Sequence, residues 1–349
     1  MALPIGAMLT LAACGGGGGE LDGAAADIFG EQCAESSGET VTIFSGRSED
    51  LISPVIEAFE CQSGVETSVR YGESTELALL LNEEGELTNA DVFLSRSPGP
   101  VGFLEAEGLL QPVDTTTLDL VSEENRSANG TWVGFSGRKR VLVYNFDNIE
   151  ADELPESVFD LTDERFRGQV AIPATNGSFV DWFTVFRDQS GDDVATQWLE
   201  DMVANDAQFF ANNRAIVEAA SRGAIGMGLV NHYYNFQEEA AAPDSHRAAN
   251  HDLAEDDIGS LLIITAATVT AGSENVDQAN QLIQYLLSEP VQTYLTEDTL
   301  EYPLAAGVEP ADVLPPLTAL EIGSVDFDSL GGGFQETTAI IEASGILSQ

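Results

Sequence analysis

The sequence predicts an α/β protein of two lobes joined by crossing strands. Three observations predict it. The chain has 349 residues, more than one hydrophobic core usually serves. Strand-like runs alternate with helix-periodic ones in two successive series, which implies mostly parallel sheets. A long β-branched run over 260–271 is placed to carry the chain back from the second series to the first. With 43% apolar and 8% aromatic residues, the composition supplies both cores and is unlike that of a disordered chain.

Residues 15–38 are rich in Gly, Ala and acids and read as a flexible tether. The fold begins at Val41. Residues 41–44 have strand composition, and after the turn Ser45-Gly46-Arg47-Ser48 come Leu51, Ile52, Val55, Ile56 and Phe59 at helical spacing. A strand over 67–71, a helix over 76–81, a buried strand over 90–95 and a helix over 101–110 complete the first series. The second has strands over 141–145, 169–173 and 225–231, with helices over 179–187 and 194–203. The acidic stretch 237–257 reads as a loop, with His246 and His251 as solvated residues in it. An amphipathic helix over 276–287 and a closing helix over 335–347 end the chain. Lobe 1 is thus expected over 39–140 plus 264–314, and lobe 2 over 141–263 plus 315–349.

Acidic residues number 59 against 13 Lys and Arg, a formal charge of −46. Such a chain repels polyanions, which excludes nucleic acid as a partner. The acids are spread along the sequence and read as a solvated surface suited to high external salt. Cys33 and Cys61 lie outside any C-x-x-C spacing, so a thiolate metal or redox motif is not indicated. In an oxidising compartment they would form a disulfide pinning the end of the tether to the first helix; otherwise they are two buried thiols.

Residues 2–13 form a small apolar stretch too short to span a bilayer, ending in Leu11-Ala12-Ala13-Cys14 before the glycine run 15–19. This resembles a bacterial lipobox. The resemblance implies a lipoprotein signal peptide over 1–14, acylation of Cys14 and a tether to the membrane. No Lys or Arg precedes Arg47, so the basic segment expected of such a leader is missing.

No G-x-S-x-G, Walker A, H-E-x-x-H or strand-bound G-x-G-x-x-G is present, and the chain has only three histidines. Nothing in the sequence supports an enzyme. What stands out is Asn231-His232-Tyr233-Tyr234, two phenols at a strand end, where open α/β sheets bind ligands. Adjacent aromatics also serve simply as packing.

These residues, with the runs Val41-Thr42-Ile43-Phe44-Ser45-Gly46-Arg47, Ala90-Asp91-Val92-Phe93, Ser136-Gly137-Arg138 through Asn145, Pro173 through Phe179 and Glu301-Tyr302-Pro303-Leu304, resemble the periplasmic ferric-ion-binding proteins of ABC importers. That family has a type II periplasmic-binding-protein fold, two α/β lobes with a hinge and an interlobe cleft, related in design to transferrin. The resemblance implies that Tyr233 and Tyr234 bind Fe(3+) as phenolates. Physical chemistry agrees, since a highly charged cation lowers the pKa of its ligands enough to ionise a phenol of ordinary value about 10. It further implies a synergistic anion (phosphate, carbonate or citrate) held by Arg138, Asn176, Gly177, Ser178, Asn213 and Asn231. Asn176 to Ser178 precede a helix whose free amides would face an anion. Ser178 reads equally as an N-cap, and Arg138 also as a structural ion-pair partner.

The sequence departs from the family in lobe 1. Where relatives supply a histidine or a tyrosine, it has Arg47-Ser48-Glu49-Asp50. There Ser48 reads as an N-cap or an anion contact, and Glu49 as a hard oxygen ligand or an ordinary first-turn acid. Arg96 stands where relatives have a carboxylate or amide ligand; it cannot bind metal and would attract an anion. Phe179 matches the third tyrosine of other members. The resemblance therefore implies an extracytoplasmic, lipid-anchored monomer that captures ferric iron with an anion or as a chelate and delivers it to a membrane ABC permease. A binder of a phosphonate or carboxylate without iron is the alternative, favoured by Arg47, Arg96 and Arg138 and disfavoured by the phenol pair, with a secreted enzyme or sensor on the same fold behind it.

Overall fold

A computed structural model describes residues 21, 23–30, 32–254, 257–315 and 333–348. It opens with α1 (Gly23–Phe29), β1 (Thr40–Ser45), α2 (Glu49–Ser63), β2 (Glu66–Tyr71), α3 (Ser74–Glu84), β3 (Val92–Ser95), α4 (Pro98–Ala106), β4 (Leu110–Gln111) and α5 (Thr115–Leu118). Strand β5 (Trp132–Asn145) follows. After it come β6 (Val170–Ile172), α6 (Gly177–Ser190), α7 (Asp192–Ala204), β7 (Gln208–Phe209), α8 (Asn213–Ser221), β8 (Met227–Asn231), α9 (Tyr233–Ala241) and β9 (Ala248–His251). The chain then runs through β10 (Leu262–Thr270), α10 (Val276–Leu286), α11 (Glu289–Glu297), β11 (Tyr302–Pro303) and α12 (Phe334–Ser344).

The 14 residues of β5 rise ~3.3 Å each, long enough to serve two sheets in turn. Its first half pairs antiparallel with β10, which pairs with β3, and β3, β1 and β2 run parallel beyond. Its second half pairs antiparallel with β8 and β9, and β8, β6 and β7 run parallel. The change of partner falls between Lys139, opposite Leu262, and Arg140, opposite Asn231. One extra residue, Phe135, bulges between the pairs Ser136–Thr265 and Gly134–Ala266. Helices cover the sheets, so β5 is buried almost throughout, as a strand covered on both faces must be.

Periodicity places the helices. In α2, Ile52, Val55, Ile56 and Phe59 form the buried stripe, while in α10 Leu282, Ile283 and Leu286 do so. Helix α12 packs on α6 and α7, with Ile341 buried between them.

Two stretches differ from the sequence reading. Part of the supposed tether is structured: α1 buries Ala25 and Ile28 against α2 and α11, a short i, i+3 stripe masked by Gly/Ala composition. Cys33 and Cys61 form a disulfide, and the amides of Ala34 and Ser37 donate to the carbonyls of Cys61 and Gly64. Gly64 is left-handed at φ 71, and a Cβ there would sit 2.2 Å from the carbonyl oxygen of Glu35. Glycine is therefore required on both counts.

The acidic stretch 237–257 is not a loop throughout, because α9 extends to Ala241 and β9 pairs with β5. Its Glu and Ala residues are good helix formers. His246 is buried on Asn235, and the His251 ring bonds the Pro155 carbonyl oxygen, so neither is a solvated loop residue. The 1–14 leader, Cys14 and the glycine run lie outside the described residues. Among the described residues no helix is long and apolar enough to cross a membrane.

Opening the 28-residue separation between Cys33 and Cys61 frees the unfolded chain. The double change Cys33→Ala and Cys61→Ala should cost about 3–4 kcal/mol, read as a lower midpoint in denaturant unfolding.

Candidate functional site

The pairing of β5 builds the site. Side chains alternate along a strand, so Arg138 and Arg140 share one face at the partner change and Lys139 takes the other. There Lys139 forms a 2.7 Å ion pair with Asp252. On the opposite side from Lys139 lies a cavity of about 210 Å³, lined by Arg47, Ser48, Leu51, Arg96, Arg138, Asn176, Ser178, Asn231, Tyr233 and Tyr234.

Tyr233 and Tyr234 open α9 straight after β8, with ring centroids 4.3 Å apart. Tyr233 is buried and Tyr234 half-buried, and the Arg214 guanidinium lies over the Tyr234 ring. Burial, then Tyr234, raises the Tyr233 pKa well above its ordinary value against the pull of Arg138. The phenol is thus protonated until a cation ionises it.

Asn176 and Ser178 come from the start of α6. The N-cap is Asn176, whose side-chain oxygen accepts from the Ser178 amide and hydroxyl, so Ser178 itself is not the cap. Asn213 lies behind this layer. Its amide donates to Asn176 Oδ1 at 3.1 Å, and its oxygen accepts from Arg140 and from the Asn231 backbone N–H. Asn213, expected as an anion contact, does not line the cavity, and its polar atoms are engaged by Asn176, Arg140 and the Asn231 backbone. Arg140 also donates to the Ser178 carbonyl oxygen. Burial and Arg138 together push its pKa down to about 9, which leaves it charged at neutral pH.

Arg138 is 2% exposed, and among the described residues its Nε and Nη2 have no hydrogen-bond partner; the buried Asn231 Oδ1 has none either. Burial lowers the Arg138 pKa, opposed by Glu301 and Tyr233. Arg47 follows a turn in which the Ser45 hydroxyl donates to the Arg47 carbonyl and accepts from its amide. A Cβ on Gly46 would lie 1.9 Å from Ser74 Oγ, so this turn needs glycine. Arg47 Nη2 is 2.8 Å from Glu301 Oε1, and both side chains are buried. Glu301 also accepts from Ser136. Burial opposes the Arg47 charge, but Glu301 and the phenols prevail and raise its pKa.

The remaining expectations fare differently. Arg96 lines the cavity but is held by Glu73 through two hydrogen bonds of 3.0 and 3.2 Å, so most of its fork is not free for an anion. Gly177 does not line the cavity. A Cβ there would meet Glu73 Oε2 at 3.3 Å, which puts the Glu73–Arg96 pair of lobe 1 against the start of α6 in lobe 2. Ser48 occupies the N-cap position of α2 without a side-chain capping bond and faces the cavity instead. Glu49 is exposed in the first turn of α2 and absent from the cavity wall. The helix turns it away towards Tyr71, whose pKa burial and then Glu49 raise. Phe179 turns into the core of lobe 2, packed on Trp182 and Phe183.

Sequence reasoning assigned no role to Glu301 or Asp181, and left Arg47 only as a group favouring an organic anion. Glu301 belonged to a quoted motif, and Arg47 to another; in both, the residue type was visible but the pairing was not. Asp181 carried no signal among so many acids. Burial pushes its carboxyl up to about 6, against Ser97 and the nearby Arg138, Arg96 and Arg140. Among the described residues no three His, Cys, Asp or Glu side chains cluster as a metal site.

Two sheets sharing a strand, with a cleft at the crossing lined by phenols, amides and buried guanidiniums, define a solute-binding protein. The chain belongs to the bacterial extracellular solute-binding protein family, whose pattern matches residues 88–324. It is 26% identical to the Fe(3+)-binding periplasmic protein of Serratia marcescens, over 91% of this chain and 94% of that one. It is also 26% identical to the major ferric iron-binding protein of Neisseria meningitidis, over 88% and 93%. Iron-bound HitA from Pseudomonas aeruginosa superposes with a TM-score of 0.82 at 28% identity, covering 88% of this chain and 99% of that one.

Two outcomes follow from the electrostatics. The folded-state pKa of Asp181 is raised from the ordinary 3.8 to about 6, so its ionisation opposes folding increasingly between those two pH values and fully above them. Asp181→Asn should therefore stabilise the protein at pH 7, and denaturant unfolding should show that gain fading as pH falls towards 4. Glu301→Ala strands the buried Arg47 charge and should cost about 3–5 kcal/mol in the same assay.

Proposed function

We propose that this protein captures ferric iron together with an anion outside the cytoplasm and delivers it to a membrane ABC permease. The observation that carries the reading is the pairing, on one cavity wall, of two adjacent phenols with the unpartnered guanidinium nitrogens of Arg138. Tyr233 and Tyr234 supply hard oxygen donors to Fe(3+). Arg138, Asn176, Ser178 and Asn231 hold the anion (citrate, phosphate or carbonate) that completes its coordination, with Ser48 and Arg96 at the edge. The similarity to proteins named for ferric iron binding supports this.

In this reading the protein is not an enzyme. Lobe 1 is 39–140 plus 264–314, lobe 2 is 141–263 plus 315–349, and the cleft closes on its cargo by hinge motion. The chain acts as a monomer anchored through lipidated Cys14, its acidic surface suited to saline surroundings. Release follows protonation or reduction, because a site of deprotonated ligands weakens under either.

The purified protein should become coloured on addition of ferric salt with citrate, phosphate or carbonate, through phenolate-to-iron charge transfer. The double change Tyr233→Phe and Tyr234→Phe should abolish the band. A colourless protein that binds a phosphonate or carboxylate equally well without iron would replace this reading with that of an organic-anion binder, which the buried arginines also suit.

A further inference from the structure

We infer that His232 is a positioning residue of the site: from behind the cleft its imidazole fixes the turn that carries Glu301, and through Glu301 it sets Arg47 against the phenols. The inference rests on the ferric reading above for its readout of cargo, and it assigns a role to a residue outside the cavity wall.

His232 stands between Asn231 and Tyr233, yet its ring lies on the other side of the strand. Tyr233 and Tyr234 line the cleft, whereas His232 lines a separate cavity behind β5 with Lys139, Phe236 and Tyr302. It is 2% exposed, so both ring nitrogens need partners. Nδ1 accepts from the backbone N–H of Lys139 at 3.0 Å, and Nε2 lies 2.8 Å from the Leu300 carbonyl oxygen. A backbone amide only donates and a carbonyl only accepts, so the ring is neutral and carries its proton on Nε2. The main chain of His232 is held as well. Its amide donates to the Lys139 carbonyl oxygen, and its own carbonyl accepts from the Asn250 side chain. The ring also packs on Tyr302 at 5.1 Å between centroids and stands edge-on to Tyr233 at 5.8 Å.

These bonds join segments of both sheets. Lys139 is where β5 leaves β10, and His232 directly follows β8, the partner that β5 takes up next. Leu300 lies between α11 and β11, and β11 pairs with the first half of β5. One imidazole therefore spans the change of partner. Leu300 has φ 59, a left-handed conformation that a bulky residue keeps only where its surroundings hold it. The bond from His232 to its carbonyl supplies that hold.

Glu301 is the next residue and wholly buried. Its amide donates to the Leu295 carbonyl, and its carboxylate accepts from Ser136 and pairs with Arg47. Arg47 in turn feels both phenols. Freeing the Leu300 carbonyl lets this backbone leave the left-handed region, and Glu301 turns with it. A protein whose turn samples a second arrangement binds its cargo with an affinity reduced by the fraction still correctly arranged. The loss appears at the iron although no group touching the iron has changed. A residue that served packing alone would lower stability and leave that affinity where it was.

The test uses the full chain and three variants. His232→Asn reaches only as far as Nδ1 and keeps the bond from the Lys139 amide. His232→Gln reaches as far as Nε2 and keeps the bond to Leu300, whereas His232→Phe keeps the ring and neither bond. Ferric salt with citrate, phosphate or carbonate is titrated in, following the charge-transfer band, and deuterium exchange over the turn 296–304 is read by mass spectrometry on the iron-free protein. His232→Asn and His232→Phe should bind about tenfold more weakly and exchange about tenfold faster in that turn, and His232→Gln should stay within about threefold on both counts. In a Glu301→Gln background, His232→Asn should lose less than about threefold, because the residue it acts through is already altered. The Asn and Gln variants each keep one bond, so their comparison stands even if His232→Phe fails to fold by circular dichroism. Wild-type affinity or wild-type exchange in His232→Asn would overturn the inference, as would an equal loss in His232→Gln or a full loss in the Glu301→Gln background. No band from the wild-type chain with any of the three anions would sink the ferric reading alone, and exchange in the turn would then decide the role of His232.

Discussion

Arg138 and Arg140 lie two residues apart on the strand that both sheets use, at the point where it leaves one sheet for the other. Two buried guanidiniums so close are unfavourable alone, through desolvation and mutual repulsion. The surrounding structure offsets this piece by piece. Asn213 and the Ser178 carbonyl oxygen receive Arg140, while Glu301 sits near Arg138 and pairs with Arg47. What protein groups leave unmet are the Nε and Nη2 of Arg138, so in the proposed function part of the energy of binding an anion is the relief of a field already present in the fold.

The sequence displays this design unevenly. The strands and helices around the cleft were legible because their apolar spacing is set by the core, which tolerates little else. Helix α1 and strand β9 were not: α1 buries only a few small side chains, and β9 is recognisable only by its partner β5. Residues whose chemistry is unusual in their position, Tyr233, Tyr234 and Arg138, announced the site. Residues whose role depends on a distant partner did not. Glu301 has meaning only beside Arg47, far away along the chain. The partners that engage Asn213, namely Asn176, Arg140 and the Asn231 backbone, come from other elements, which no local pattern encodes. The exposed position of Glu49, off the cavity wall, was not legible for a similar reason, since the pitch of α2 decides which way its first turn faces.

The charge of the whole molecule and that of its cleft have opposite signs. A chain of formal charge −46 accumulates cations at its surface, within a Debye length shortened by salt. The cavity, by contrast, is walled by arginines. Any anion approaching the cleft meets overall repulsion at long range and attraction only at the mouth. High external salt suppresses the first more than the second, because buried groups are screened less.

The bulge at Phe135 sets the phase of everything downstream on β5, since the pairing shifts there by one residue against β10. From Ser136 to Arg140 each side chain faces the cleft or the back according to whether its distance from that bulge is odd or even. One residue inserted or lost in this stretch would bring Lys139 to the cleft and turn both guanidiniums away. Divergence along β5 must therefore proceed by substitution, and changes of length must fall in the turns at its two ends.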